Sequence, residues 1–166
     1  VNDALSLLQF SKKHAAKQIS KVLKSAVANP LPVNGIPLRL FAAAYKGAAP
    51  NASISVVADC DIAGLSFTQK NGTYNNTLAV MTTVVDRLGK TRASDRANVD
   101  MTMLPATYAR ARARGFRVAS SLNLPPGRYQ LRVTAADVSG VTGSVIRTLE
   151  VPDFTKSPVS ISALSV

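Results

Sequence analysis

The chain has 166 residues, 46% of them hydrophobic, enough for one packed domain plus an appendage, which excludes a wholly disordered polymer. Charged residues make up only 17%, yet 20 Lys and Arg stand against 9 Asp and Glu, for a formal net charge of +11. That excess favours acidic partners, whether nucleic acid, anionic lipid or an acidic protein surface, without choosing among them.

Tryptophan is absent and small residues dominate, which suits thin β-layers better than a deep aromatic pocket. Cys60 is the only cysteine, so an intrachain disulfide and a thiolate metal cluster are both excluded. No apolar run approaches the roughly 18 to 20 residues that cross a bilayer, and no secretory signal pattern is present. With Val1 in first place, the chain reads as the C-terminal part of something longer, so a missing signal says nothing about compartment.

From Asp3 to about Ala28 the pattern is helical, with Leu5, Leu8, Ala15, Ile19, Val22, Leu23 and Ala26 on one face. Lys13, Lys17, Lys21 and Lys24 fall on the opposite face, toward the negative end of the helix dipole, and Lys12 interrupts the apolar stripe. The prolines of "NPLPVNGIP" then end the helix. This divides the chain into a helical appendage over 1–29 and a second unit over 30–166.

Strands are expected at about Leu38 to Tyr45, Ser53 to Asp59, Leu78 to Asp86, Ala97 to Met103, Phe116 to Leu124, Arg128 to Ala136 and Ser144 to Val151. Turn residues punctuate them in "KGAAPN", "KNGTYNN", "RLGK", "PPG" and "DVSGVTG". A short helix is expected in "LPATYARARARG", with Pro105 at its first turn and Gly115 as its stop. About seven short strands without intervening helices argue for a mainly β fold, an immunoglobulin-like antiparallel sandwich, rather than a parallel α/β sheet.

In "LPPGRYQLRVTAAD", Tyr129, Leu131, Val133 and Ala135 alternate with Arg128, Gln130, Arg132 and Thr134, the signature of a strand with one dry face. An aromatic at the start of a late sandwich strand can fold its ring on the core and return its hydroxyl to the backbone, pinning a crossover between sheets. Tyr129 is placed for that role; the alternative is a tyrosine that simply ends a strand at the core's edge.

Reactive constellations are scarce. His14, the one histidine, has no Asp or Cys at ligand spacing, and metal sites and triads need several converging groups. Cys60 lies between Asp59 and Asp61, whose charges oppose thiolate formation. Asp59 and Asp61 share a strand face by their spacing, but so few carboxylates make a poor Ca²⁺ site, and a polar strand end is the simpler reading. "DVSGV" at Asp137 differs from the D-x-S-x-S metal motif by carrying Val141 in place of the second serine, so it reads as a hairpin loop. No phosphate-binding glycine motif occurs. Sequons at Asn51, Asn71 and Asn75 fall in expected loops. Neither a catalytic residue nor a cofactor is expected.

Two basic sets remain as candidates for an anionic partner: the lysine face of the first helix, and Arg110, Arg112, Arg114 and Arg117 around the short one. Only Tyr108 and Phe116 lie among the arginines, fewer aromatics than nucleic-acid readers usually employ.

The ending, "PPGRYQLRVTAADVSGVTGSVIRTLEVPDF", resembles the C-terminal region of bacterial von Willebrand factor A-related (VWFA-related) proteins. The likeness rests on Pro126, Gly127, Tyr129, Leu131, Arg132, Val133, Asp137, Gly143, Ser144, Val145 and the run Leu149 to Phe154. "NPLPVNGIPLRLFAAAYKG" is similar to the start of the same region, so the resemblance spans about Asn29 to Val166. It implies a β-sandwich downstream of an A domain, in an exported protein of the cell envelope or extracellular space, with the metal-dependent adhesion site in that absent A domain.

The expectation for function is therefore a non-enzymatic interaction or structural module with a protein partner or the upstream A domain. Contact would run through the helix residues Leu5, Leu8, Ile19 and Leu23, or through self-association by strand addition at a sheet edge. The alternative is electrostatic binding of nucleic acid or another anionic polymer.

Overall fold

A computed structural model describes residues 33–156, and these form the antiparallel sandwich expected from the alternation. The strands are β1 (Leu38–Lys46), β2 (Ala52–Cys60), β3 (Thr68–Lys70), β4 (Thr73–Val85), β5 (Thr91–Met103), β6 (Phe116–Leu124), β7 (Gly127–Asp137) and β8 (Thr142–Val151), with one helix, α1 (Pro105–Arg114), between β5 and β6. The helix expected over 3–28 lies outside the described residues, and with it Leu5, Leu8, Ile19, Leu23, Lys13, Lys17, Lys21, Lys24 and His14.

One sheet has the order β1-β2-β6. In the other, β4 is flanked by β5 along one edge and by β7 along the opposite edge, with β8 beyond β7 and β3 pairing the start of β4. This partition of successive strands, with β1, β2 and β6 in one layer and β4, β5, β7 and β8 in the other, is immunoglobulin-like. The sheets also approach at their margins. The Arg147 guanidinium donates to the Leu40 carbonyl at 3.1 Å across the β1–β8 seam, and the Ser120 hydroxyl donates to Asp95 at 2.7 Å across the β5–β6 seam.

The inward face of β2 shows why the chain folds this way. Ala52, Ile54, Val56, Ala58 and Cys60 are all buried, and the residues between them are half-exposed. Across the core lie Leu78, Val80 and Val84 of β4 and Tyr129, Leu131, Val133 and Ala135 of β7. Fully burying each Val, Leu or Ile contributes about 1.5 to 3 kcal/mol, so this interdigitated set dominates stability.

Three elements differ from expectation. The strands among the described residues number eight, because β3 pairs with β4 through the turn Asn71-Gly72. Both turn residues have positive φ, 51° and 73°, which is what a tight two-residue hairpin requires. β4 consequently begins at Thr73, so Asn75 is a strand residue rather than a loop one, its amide bound to Thr68 and Thr73. β5 begins at Thr91 rather than near Ala97. Its early half alternates Arg92, Ser94 and Arg96 with Ala93, Asp95 and Ala97, and such polarity hides a strand from a hydrophobicity pattern. It is held instead by pairing along nearly the whole of β4.

Tyr129 sits at the corner between the layers. Its hydroxyl donates to the Pro125 carbonyl at 2.9 Å, four residues back, and its ring is buried. Gly127 permits this fold-back, because a Cβ there would lie 3.2 Å from the hydroxyl and 3.4 Å from ring carbons. We expect Tyr129→Phe to lower unfolding free energy by about 0.5 to 1.5 kcal/mol through loss of that bond. Leu131→Ala, which opens a cavity in the centre of the core, is expected to cost about 2 to 5 kcal/mol. Urea denaturation of the two variants checks both the order and the sizes.

Candidate interaction surfaces

The carboxylates among the described residues are engaged in turns and side-chain pairs. Four aspartates build turns in the same way, each carboxylate accepting from the amide two residues ahead: Asp61 from Ala63, Asp86 from Leu88, Asp137 from Ser139 and Asp153 from Thr155. Asp137, the "DVSGV" aspartate, is buried and also accepts from the Ser139 hydroxyl and the Val141 amide, so it closes the β7–β8 hairpin. Asp59 pairs with Arg117 at 2.8 Å, Asp95 accepts from Ser120, Asp100 accepts from the Thr77 hydroxyl, and Glu150 faces Arg128 at 3.5 Å. Among the described residues no three His, Cys, Asp or Glu side chains converge as metal ligands would.

Cys60 is buried at the end of β2, and burial, reinforced by the charge of Asp59, pushes its thiol pKa up to about 12. A shallow groove of about 440 Å³ lies over this corner between Pro37–Arg39 and the end of α1. It is lined by Arg39, Arg112 and Arg114 as well as by Asp59 and Asp61, so its charge is mixed.

The four arginines expected as an anionic site have different neighbours. Arg112 donates to the Ala63 carbonyl at 3.0 Å and lies 5.7 Å from the centre of the Tyr108 ring, while Arg117 is held by Asp59. Arg110 and Arg114 are exposed, one turn apart on α1. Tyr108 itself stacks on Tyr74 at 4.0 Å and meets Phe67 edge-on, so the aromatic beside these arginines anchors α1 to the sandwich.

The surface that sequence reasoning missed is the outward face of the three-stranded sheet. Phe41 stands there with 52% of its surface exposed, and its cross-strand row continues through Val57 and Ala119. The next rows are Ala43, Ser55, Ser121 and then Tyr45, Ser53, Asn123; on the other side lies the charged row Arg39, Asp59, Arg117. Phe41 is thus an exposed aromatic among small side chains, bordered by polar ones. The sequence signal was Phe41 itself, out of phase with the inward Leu40 and Ala44, but a phase is readable only once the buried face is known.

No family model matches the chain, and no curated protein matches it. Among solved structures, similar ones include a protein assigned as ApaA from Bordetella pertussis, 11% identical with a TM-score of 0.44, covering 70% of this chain and 94% of that one. Another is a protein assigned as a β-galactosidase from Bacteroides fragilis, 16% identical with a TM-score of 0.47, where 68% of this chain matches 16% of the larger one. A Bacteroides uniformis β-glucuronidase is 14% identical with a TM-score of 0.43, and the match covers 68% of this chain and 13% of the enzyme. At these scores the likenesses carry no argument about activity.

Two measurements follow from the geometry. The Cys60 thiol of the native protein should react with a disulfide reagent only at the rate of unfolding, and full labelling should appear in denaturant. Asp86 has its pKa held below the ordinary 3.8, chiefly by the Lys90 amide, against a smaller opposing effect of desolvation, and further by the Arg92 side chain and the Leu88 amide. A depressed folded-state pKa contributes stability above the unfolded value that disappears as pH falls through the folded one. Asp86→Asn should therefore lower Tm at neutral pH, and the gap to wild type should close below about pH 3.8, as thermal melts across pH would show.

Proposed function

We propose that the chain is a non-enzymatic recognition module of an exported bacterial VWFA-related protein. It would act by binding a protein surface, either the A domain of its own parent or a separate protein. The observation that carries this reading is the Phe41 patch, a half-exposed aromatic on a sheet face where Ala43, Ser55, Val57, Ala119 and Ser121 surround it. Such an anchor contributes binding energy at little entropic cost, because its strand already fixes it. The resemblance of the closing motif to VWFA-related proteins supports the export and the parent. The engagement of every described carboxylate in turns and pairs supports a scaffold rather than a catalyst.

Binding of an anionic polymer is the competing reading, and the ties on Arg112 and Arg117 count against it. Self-association by strand addition would have to compete with the contacts between sheet margins, Arg147 on the Leu40 carbonyl at β1–β8 and Ser120 on Asp95 at β5–β6.

Phe41→Ser should leave Tm within a few degrees of wild type and reduce affinity for the parent's A domain or a captured envelope protein at least about tenfold, the loss of a hot-spot side chain. A Kd unchanged by Phe41→Ser would remove the patch from the interface. Tight binding to DNA, RNA or an anionic polysaccharide, weakening steeply with salt, would replace recognition by electrostatics.

A further inference from the structure

The start of β7, the β4–β5 turn and the end of β8 meet in a basic corner of the five-stranded sheet. Register sets Gln130 of β7 between Val85 of β4 and Thr148 of β8, with Arg128 and Arg132 two residues away on the same face, one in each direction. Arg87 follows Val85 by two residues, and the three arginines border one groove of about 550 Å³. Arg87, Arg128, Gln130 and Thr148 are exposed, and Arg132 is partly so.

The hydrogen bonds of this corner leave it offering donors. The single carboxylate on the groove wall, Asp86, is engaged: it accepts from the Leu88 and Lys90 amides at 2.8 and 2.9 Å and from Arg92 Nε at 2.7 Å. Gln130 accepts on Oε1 from Arg132 Nε at 2.8 Å. A guanidinium can only donate, so this contact fixes the amide oxygen on Arg132 and turns the Gln130 amide nitrogen elsewhere as a donor. Glu150 meets Arg128 only at 3.5 Å, with both side chains more than half exposed, and so weak a pair yields readily to a ligand carboxylate. Among the described residues Arg87 pairs with no carboxylate.

A second groove, of about 330 Å³, adjoins the first and shares Asp86, Arg87, Arg128 and Tyr129 with it. Its walls add Leu88 and Pro125. Leu88 is 90% exposed, yet the turn that carries it is tied down, with the Leu88 amide on the Asp86 carboxylate and the Gly89 amide on the Asp86 carbonyl at 3.1 Å. An apolar side chain is thus held out beside a row of donors.

We propose that this corner binds an acidic, extended peptide segment of a protein partner, with its carboxylates on Arg87, Arg128 and Arg132 and an apolar side chain against Leu88 and Pro125. Charge complementarity sets the sign of the ligand, and guanidinium forks take carboxylates bidentately. Spacing suits an extended chain: Arg128 and Arg132 are four strand residues apart, about 13 Å at roughly 3.3 Å per residue, and every second side chain of an extended ligand recurs at half that interval. Nucleic acid fits less well, because Tyr129, the aromatic on both walls, is buried with its hydroxyl on the Pro125 carbonyl and does not serve as a stacking platform. Leu88 and Pro125 also give an apolar side chain a place that a polysaccharide or polyphosphate would leave empty. This site goes beyond the role proposed for Phe41, which lies on the opposite sheet, and does not rest on it.

The test titrates the full chain into a fluorescein-labelled synthetic decapeptide in which glutamate alternates with serine and one position carries leucine, read by anisotropy at low ionic strength. Arg87→Gln with Arg128→Gln should weaken binding at least about tenfold, since each lost guanidinium removes charge-assisted hydrogen bonds. Arg110→Gln with Arg114→Gln, which removes the same charge from α1, should leave Kd within about twofold, because exposed charges at a distance are screened. Leu88→Ser should weaken the peptide about threefold or more through lost apolar contact.

No saturable binding of the peptide overturns the proposal, as does equal weakening by the two double variants, which would reduce the effect to net charge. Oligothymidylate of equal charge binding as tightly through the same arginines, and indifferent to Leu88→Ser, would reassign the corner to polyanions and overturn the proposal too. Should the Arg87 and Arg128 double variant fail to fold, amide chemical shifts of the wild-type chain decide: shifts at Gln130 and Thr148 on adding the peptide support the site, and shifts confined to other residues sink it.

Discussion

The phase of β7 is the constraint on which the rest of the molecule depends. β7 is an interior strand, paired to β4 on one edge and β8 on the other, and its alternation puts Tyr129, Leu131, Val133 and Ala135 into the core together. A slip of one residue would drive Arg128, Gln130 and Arg132 inward, where unpaired polar groups cost several kcal/mol each. The Tyr129 hydroxyl on the Pro125 carbonyl guards against that slip. It ties the strand's first turn to the segment arriving from β6, which belongs to the other sheet. A single hydrogen bond thus couples the register of one layer to the position of the other.

From that constraint follows the fate of the polar residues. A sandwich made of long strands needs tight connections, and here aspartate carboxylates make several of them by accepting from backbone amides two residues on. Groups so engaged are poor acids, bases or ligands, because their lone pairs already face fixed donors. Cys60, driven into the neutral thiol by burial, is inert for a different reason with the same outcome. What the described surface presents is an aromatic on one sheet, small buried residues on the other, and exposed arginines between.

The two outward faces divide the labour unequally. On the three-stranded sheet, small hydroxyl and methyl side chains leave Phe41 standing proud. On the five-stranded sheet, the small outward side chains of Ala79, Thr83, Thr134 and Ala136 are buried. The two outward faces thus differ in exposure although their side chains are similar in size.

Much of this was readable in the order of residues. Period-two alternation announced β2 as a half-buried strand and named the residues of β7 that enter the core, although Thr134 and Ala136, on the side expected to be wet, are buried as well; "PPGRY" announced the corner, and Pro105 with Gly115 bracketed the helix, because these signals are local and depend only on backbone stereochemistry. Tertiary structure alone decided the rest. It showed that the polar β5 is a strand by virtue of its neighbour β4. It brought Asp59 to Arg117 and thereby divided an apparent cluster of arginines. It also determined which sheet face is wet, and therefore that Phe41 is exposed and Ala79 is not. Burial and pairing between strands far apart in sequence are properties of the assembled layers, and no local pattern encodes them.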